Sequence, residues 1–225
     1  SAVCETVYFF VEFVCVFPWK CVSLNNQNRE KIMDGILRKL PIGIQTFEKL
    51  REGDYLYVDK TALVWRIAST ETPYFLSRPR RFGKSLLLST FEAYFEGKKE
   101  LFEGLAIADM EKEWKTYPVF HLDLNAEKYD SPQALVEILS RQLTQWELKY
   151  GKGEDEETLS GRFAGVIRRA CEQSGRGVVV LVDEYDKPLL QALDDGTLLD
   201  DYRKTLKAFY GVLKSSDRYL RFVFL

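Results

Sequence analysis

An α/β fold, with helices on both faces of a mostly parallel central sheet, is the architecture this sequence predicts, and three observations carry the prediction. The first is the run at 178–182, Val-Val-Val-Leu-Val, five consecutive apolar residues ending at Asp183 and Glu184. A strand without polar alternation is buried on both faces, as central parallel strands are. The second is the spacing of apolar residues between strand-like runs. Leu135, Ile138, Leu139, Leu143 and Trp146 share one side of a helix, and Leu159, Phe163, Val166, Ile167 and Ala170 share one side of the next. The third is Gly-Lys-Ser at 83–85, between a short apolar run at 74–76 and a helical pattern carrying Phe91, Tyr94 and Phe95. A chain of 225 residues, 46% hydrophobic, is long enough for one sizeable domain with a proper core.

Taken in order, the elements begin after a stretch that does not match the rest. Residues 1–32 carry apolar runs at 7–11 and 13–17, broken by Glu12 and preceded by no basic segment, and they are too short for a membrane span. Met33 is the first methionine, so the expected domain covers 33–225 and the first 32 residues form a leader outside the fold. Phe47, Leu50 and a stop at Gly53 predict a short helix, 55–58 a short strand, and Asp59-Lys60-Thr61 a cap for a helix through Leu63, Val64 and Ile67. Capping is the plain reading of Asp59 and Thr61; Tyr57 and its neighbours are candidates for contact with a nucleotide base. Residues 100–114 read as a charged, partly helical connector and 118–124 as a strand. Ser131-Pro132 predicts a helix start, and Gly175 sits where a C-cap glycine belongs. Tyr202, Leu206, Phe209, Tyr210 and Leu213 predict one more helix, and 219–225 another buried strand. A strand not followed by its helix leaves an α/β unit unfinished, so the domain is expected to be truncated at the C-terminus.

Two stretches carry chemistry. A strand, a turn ending in Gly-Lys-Ser and a helix is the layout of a phosphate-binding loop, in which backbone N–H groups converge on a nucleotide's phosphates at a helix N-terminus. Gly83 would let the backbone pass close, Lys84 would reach the terminal phosphate oxygens, and the Ser85 hydroxyl would ligate Mg²⁺. The G-x-x-x-x-G-K-[ST] pattern expects glycine at 78, where this chain has Arg78, and Pro79 has no N–H to give. The nucleotide donors are therefore placed later, at Arg80, Arg81, Phe82, Gly83, Lys84, Ser85 and Leu86. The bland alternative is a basic surface turn leading into an ordinary helix. At the C-terminal end of the valine-rich strand, where open α/β sheets place their ligands, Asp183 would join Ser85 in holding Mg²⁺ and Glu184 would orient or deprotonate the attacking water. Here the bland alternative is a strand that ends in solvent.

Composition narrows the classes. Net charge is −2 with both signs mixed along the chain, so no basic field points to nucleic acid, whose involvement stays undetermined. His121 is the single histidine, which disfavours His-based metal or triad chemistry. Three of the four cysteines, Cys4, Cys15 and Cys21, lie in the leader and only Cys171 in the body, which is no disulfide framework and fits a reducing, cytoplasmic setting without a membrane partner.

Together these residues resemble a family of predicted AAA-ATPase-like proteins. The likeness rests on Leu40-Pro-Ile-Gly-Ile-Gln45, Tyr55-Leu-Tyr-Val-Asp-Lys-Thr61, Phe75-Leu-Ser-Arg-Pro-Arg-Arg-Phe-Gly-Lys-Ser-Leu86, Leu101-Phe-Glu-Gly-Leu105 and Val182-Asp-Glu-Tyr-Asp-Lys-Pro188. It includes the Arg-Pro-Arg-Arg loop, so Arg78 looks like the family's own variant. The order of loop strand, intervening strand at 119–124 and strand ending in Asp-Glu matches the additional-strand, catalytic-glutamate branch of P-loop proteins, which inserts a strand between the two motifs. The resemblance implies a P-loop NTPase three-layer sandwich with Lys84 and Ser85 in its Walker A loop, Asp183 and Glu184 in its Walker B strand, and ATP with Mg²⁺ as ligands. Relatives often carry a PD-(D/E)XK nuclease-like domain after the ATPase, which makes such a domain an expected partner; homo-oligomers are left open. The functional expectation is an ATP-hydrolysing domain, with Lys84 and Glu184 catalytic, that switches or drives a partner. The alternative is a nucleotide-binding interaction module with little turnover, separated from the first by an arginine acting in trans, for which Arg203, Arg218 and Arg221 are candidates. No Asn-Lys-x-Asp guanine-reading motif occurs, which disfavours GTP. A small-molecule kinase is a third reading, without a recognisable lid.

Overall fold

The computed structural model describes residues 38–70, 72–77, 82–125 and 128–225. The expected leader, 1–32, lies outside them, as do Arg78, Arg80 and Arg81. Three parallel strands, β1 (Val119–Asp123), β2 (Val178–Asp183) and β3 (Leu220–Phe224), pair in the spatial order β1-β2-β3. Residues 74–76 add a short extended piece beside β3, also parallel. Tyr74 N donates to Val223 O at 2.8 Å, Leu225 N to Tyr74 O at 3.0 Å, and Leu76 N to Leu225 O at 2.7 Å. The strand that comes last in the chain therefore lies between the piece at 74–76 and β2, whereas β1, expected as the inserted strand, pairs on the far side of β2, because register and packing rather than chain order set the neighbours. All four segments end on the same side of the sheet.

Every residue of β2 is buried, and the pleat sends its side chains alternately into two cores. Val179 and Leu181, with Phe222 and Phe224 of β3, pack under α1 (Phe47–Glu52), α2 (Thr61–Ala68), α3 (Lys84–Phe95) and α4 (Ala106–Met110). Val178, Val180 and Val182, with Phe120 and Leu122 of β1, face α5 (Pro132–Tyr150), α6 (Leu159–Ser174), α7 (Lys187–Gln191) and α8 (Gly196–Ser215). Aromatic rings bind each layer to the sheet. Phe91 of α3 sits 5.0 Å from both Phe222 and Phe224, and on the other face Phe120 stacks on Trp146 at 4.5 Å, while Phe163 of α6 stacks on Phe209 of α8 at 4.4 Å and joins the helices of that layer. Each fully buried ring contributes about 1.5–3 kcal/mol of transfer free energy, so the central strand is the most heavily anchored part of the fold and a rigid base for whatever follows it.

Two local expectations give way. Among the described residues, 55–58 make a single bridge, Lys39 to Tyr55, and no ladder, and Leu56 and Val58 are exposed, with no described sheet edge reaching them. The connector at 100–114 splits into a 3₁₀ turn, Lys99–Phe102, and α4, broken at Gly104, whose φ of 73° belongs to the left-handed region. The capping reading of Asp59 and Thr61 stands and extends to a second helix. Asp59 Oδ1 accepts from Thr61 N at 2.8 Å and from Thr61 Oγ1 at 2.7 Å, and Oδ2 accepts from Ala106 N at 2.7 Å. Thr61 Oγ1 accepts in turn from Ile107 N at 3.1 Å. Partial burial opposes the charged carboxylate, yet these donors outweigh it and hold Asp59 below the usual carboxylate range. Tyr57 is taken up by the same layer, packed edge-on to Phe47 at 5.4 Å, and burial pushes its phenol up to about 12.

Candidate functional site

Three predicted residues meet at the C-terminal ends of the strands. Lys84 opens α3, and its N-cap, Gly83, holds φ 76° and ψ 24°, a left-handed conformation that a residue with a Cβ adopts only at a cost of about 1–2 kcal/mol. Among the described residues no side chain caps this helix, and the first hydrogen bond back to the turn is Leu87 N to Gly83 O at 3.0 Å. The N–H groups of Lys84, Ser85 and Leu86 thus lie ahead of the helical ladder, where a helix presents its positive end to an anion.

Opposite stands the end of β2. Asp183 is 6% exposed, and its carbonyl accepts from Leu124 N at 3.2 Å, which ties it to the end of β1. Its Oδ1 accepts the N–H of Glu184 at 3.0 Å. Glu184 has φ 52°, one of three non-glycine residues with positive φ among the described ones, and left-handed backbone of this kind collects at functional sites. Among the described residues its carboxylate has no hydrogen-bond or ion-pair partner. Lys84, Asp183 and Glu184 line one open cleft of about 240 Å³, solvent included, floored by Leu76, Leu88 and Phe224 and flanked by Tyr185. Tyr185 is held edge-on against Phe75 at 5.0 Å, and burial raises its phenol pKa.

The remaining predicted residues fall around this cleft unevenly. Phe82 is 57% exposed just before the helix. Ser85 and Leu86 occupy the first turn of α3, half-buried, and do not line the cleft; the Leu86 carbonyl accepts from Ser89 Oγ at 2.9 Å and Thr90 Oγ1 at 2.7 Å. Arg80 and Arg81 lie outside the described residues.

Residue-type reasoning missed a half-buried polar pair between β1 and α3. His121 on β1 shares a hydrogen bond of 2.9 Å between Nδ1 and Glu92 Oε2 on α3, while its Nε2 is buried with no partner among the described residues. Burial opposes its charge, but Glu92, with smaller help from Asp183 and Asp123, outweighs it and raises the histidine pKa above its usual value. A polar residue inside an otherwise apolar strand was the available signal. The candidate trans arginines are placed elsewhere. Arg221 donates to Ala68 O at 2.8 Å and Thr70 O at 3.1 Å, at the end of the sheet away from the cleft. Arg218 stacks over Tyr219 at the same end, 4.9 Å from the ring centroid, and Arg203 pairs with Asp200 at 3.3 Å on the outer face of α8. Cys171 is a half-buried free thiol. No described helix is long and apolar enough to cross a membrane.

Fold and cleft define an α/β protein in which a lysine at an uncapped helix N-terminus faces two consecutive carboxylates at the end of a central parallel strand. Residues 41–225 match the family described as Predicted AAA-ATPase, and the chain belongs to that family. A curated relative, "Uncharacterized protein in vnfD 5'region" from Azotobacter chroococcum mcd 1, is 42% identical over 189 residues, which cover 84% of this chain and 37% of the relative. The chain thus spans well under half of that relative's length. No solved structure matches it.

Proposed function

We propose that the chain binds ATP with Mg²⁺ and hydrolyses it, using the cycle to switch or drive a partner domain. The observation that carries this reading is the convergence of Lys84, Asp183 and Glu184 on one cleft from segments about a hundred residues apart in the chain. In this reading the domain is a P-loop NTPase sandwich of the additional-strand type, supported by the placement of β3 between the piece at 74–76 and β2. The N–H groups at 84–86 and the Lys84 ammonium bind and orient the phosphates. Glu184, without a partner among the described residues, accepts a proton from the attacking water.

The residues present suit Mg²⁺, a hard cation that keeps several waters and takes one or two protein oxygens. Asp183, which lines the cleft, would hold it, with the Ser85 hydroxyl, next to Lys84 but outside the cleft lining, as the second proposed ligand. No group of three or more His, Cys, Asp or Glu among the described residues offers a self-sufficient metal cage. When bound, the ion would neutralise charge on the phosphate oxygens. A C-terminal nuclease-like domain and further copies of the chain are the proposed partners, and the cytoplasm the proposed location.

The test is Glu184→Gln beside Lys84→Ala. Loss of the general base should lower turnover by roughly 10²–10⁴-fold while fluorescent ATP still binds, whereas Lys84→Ala should weaken binding itself. Parental turnover in Glu184→Gln overturns the mechanism. A slow-cycling nucleotide switch is the second reading. It is favoured by the engagement of the Arg221 guanidinium with the Ala68 and Thr70 carbonyls of its own chain, and it predicts a turnover rate strictly proportional to protein concentration.

A further inference from the structure

We infer that Lys187 is a positioning residue for Glu184, acting through Asn125 at the end of the neighbouring strand. The inference rests on the reading of Glu184 as the group that activates water, and it concerns what holds that side chain in place.

Glu184 occupies a left-handed backbone conformation, and such a conformation persists only where the surroundings over-determine it. The support on its N-terminal side is strong: β2 is buried throughout, and Leu124 N donates to Asp183 O at 3.2 Å. On its C-terminal side the chain leaves the sheet at once. The turn from Glu184 to Lys187 is closed by one backbone hydrogen bond, Lys187 N to Glu184 O at 3.0 Å, before the short helix α7 begins. A single bond across a four-residue turn does not determine a φ of opposite sign.

The Lys187 side chain supplies the missing constraint. Its ammonium donates to the Asn125 backbone carbonyl and, at 2.7 Å, to Asn125 Oδ1. Asn125 is itself held by its N–H, which donates to Asp123 Oδ1 at 2.7 Å. Glu184 is therefore bracketed by two ties to the same stretch of chain, Leu124 to Asp183 before it and Asn125 to Lys187 after it. With the second tie removed, the turn is free to relax toward negative φ, a rotation on the order of 100° between the left-handed and ordinary helical regions. Such a rotation carries the carboxylate off the line of attack. The Tyr185 ring on Phe75 and the backbone bond remain, so the loss falls on geometry while the fold persists.

The experiment compares Lys187→Met, Lys187→Arg and Asn125→Ala with the parent, and with Glu184→Gln as control, in steady-state ATP hydrolysis and in hydrogen exchange of the amides at 184–190. Misplacing a reacting group by about 1 Å costs on the order of 10²-fold. Lys187→Met should lower kcat by roughly 10–100-fold with KM for ATP within about twofold, and should speed exchange at 184–190 alone. Lys187→Arg, which keeps donors for both acceptors, should recover most of kcat. Asn125→Ala should fall between parent and Lys187→Met, and the double variant should be no slower than Lys187→Met. If Glu184→Gln is inactive while Lys187→Met turns over like the parent, or if Lys187→Met changes kcat and KM together without rescue by arginine, the positioning role is wrong and the hydrolysis reading stands. If the parent does not hydrolyse ATP, or Glu184→Gln matches it, the hydrolysis reading fails and this inference with it.

Discussion

Replacing Glu184 by glycine should make the protein more stable and inactive at once. At φ 52° the glutamate sits in the left-handed region, where an L-residue with a Cβ loses about 1–2 kcal/mol. Glycine removes that penalty and gives back roughly 0.5–1 kcal/mol through the greater freedom of its unfolded chain. Among the described residues the Glu184 carboxylate has no partner, so little else is lost, and the net gain should be about 0.5–1 kcal/mol. For a chain of 225 residues that is a rise in Tm of about 1–4 °C. Glu184→Gln keeps the same backbone constraint and should stay within about 0.5 kcal/mol of the parent. Thermal melting and urea titration of the three proteins, alongside their ATP turnover, separate strain from chemistry. A Glu184→Gly protein that melts below both others would refute the reasoning, because it would mean that the carboxylate supports the fold and that the left-handed backbone carries no excess energy.

Other parts of the structure set further expectations. Arg162 meets Glu147 through two hydrogen bonds of 2.8 and 2.7 Å, with side chains only 10% and 6% exposed, and also donates to Ser140 Oγ at 2.6 Å and Thr144 Oγ1 at 2.9 Å. Glu147→Ala should cost roughly 3–5 kcal/mol by urea titration, and Glu147→Leu combined with Arg162→Met much less, since the penalty lies in the charge left behind. The His121–Glu92 pair has the histidine pKa raised in the folded state. Its stabilisation should be complete below about pH 6.5, the ordinary histidine value, and lost as pH rises through the raised one. Urea midpoints at about pH 6 and pH 8 should therefore differ more in the parent than in Glu92→Gln. The Glu156 carboxylate, paired with Arg169, fills the space where a side chain at Gly165 would stand. Gly165→Ala must displace it and break its pairing with Arg169, which offsets the gain of about 1 kcal/mol that alanine brings inside a helix. In a Glu156→Ala background, with that carboxylate gone, Gly165→Ala should stabilise by about 1 kcal/mol in urea titration.

Much of this architecture was legible before any coordinates. The stripe at Leu135, Ile138, Leu139, Leu143 and Trp146 is buried as expected, because helical periodicity and burial are the same fact viewed along the chain. Gly175 sits in the left-handed conformation a C-cap needs. The partial failures have local causes. Val58 has strand-forming neighbours but no edge to pair with among the described residues, and strand propensity without a partner yields only extended chain. The split at Gly104 could be read from the glycine, but which helix would begin after it depended on Asp59, 47 positions away, accepting from Ala106 N. Arg203, Arg218 and Arg221 look equivalent as letters, and only the folded structure distinguishes them, with Arg221 on backbone carbonyls, Arg218 over Tyr219 and Arg203 beside Asp200.

The sequence alone determined a parallel, helix-covered sheet and the chemical types at its two important turns, because hydrophobic period, glycine and charge act locally and are visible in the order of residues. Tertiary structure decided that Lys84 and the Asp183–Glu184 pair share a cleft, that β3 comes between their strands, and that Glu184 is held left-handed between ties to Leu124 and Asn125. Those facts depend on which strand edges pair and in what register. That choice is made by the packing of whole faces against each other, and no single segment of the chain contains it.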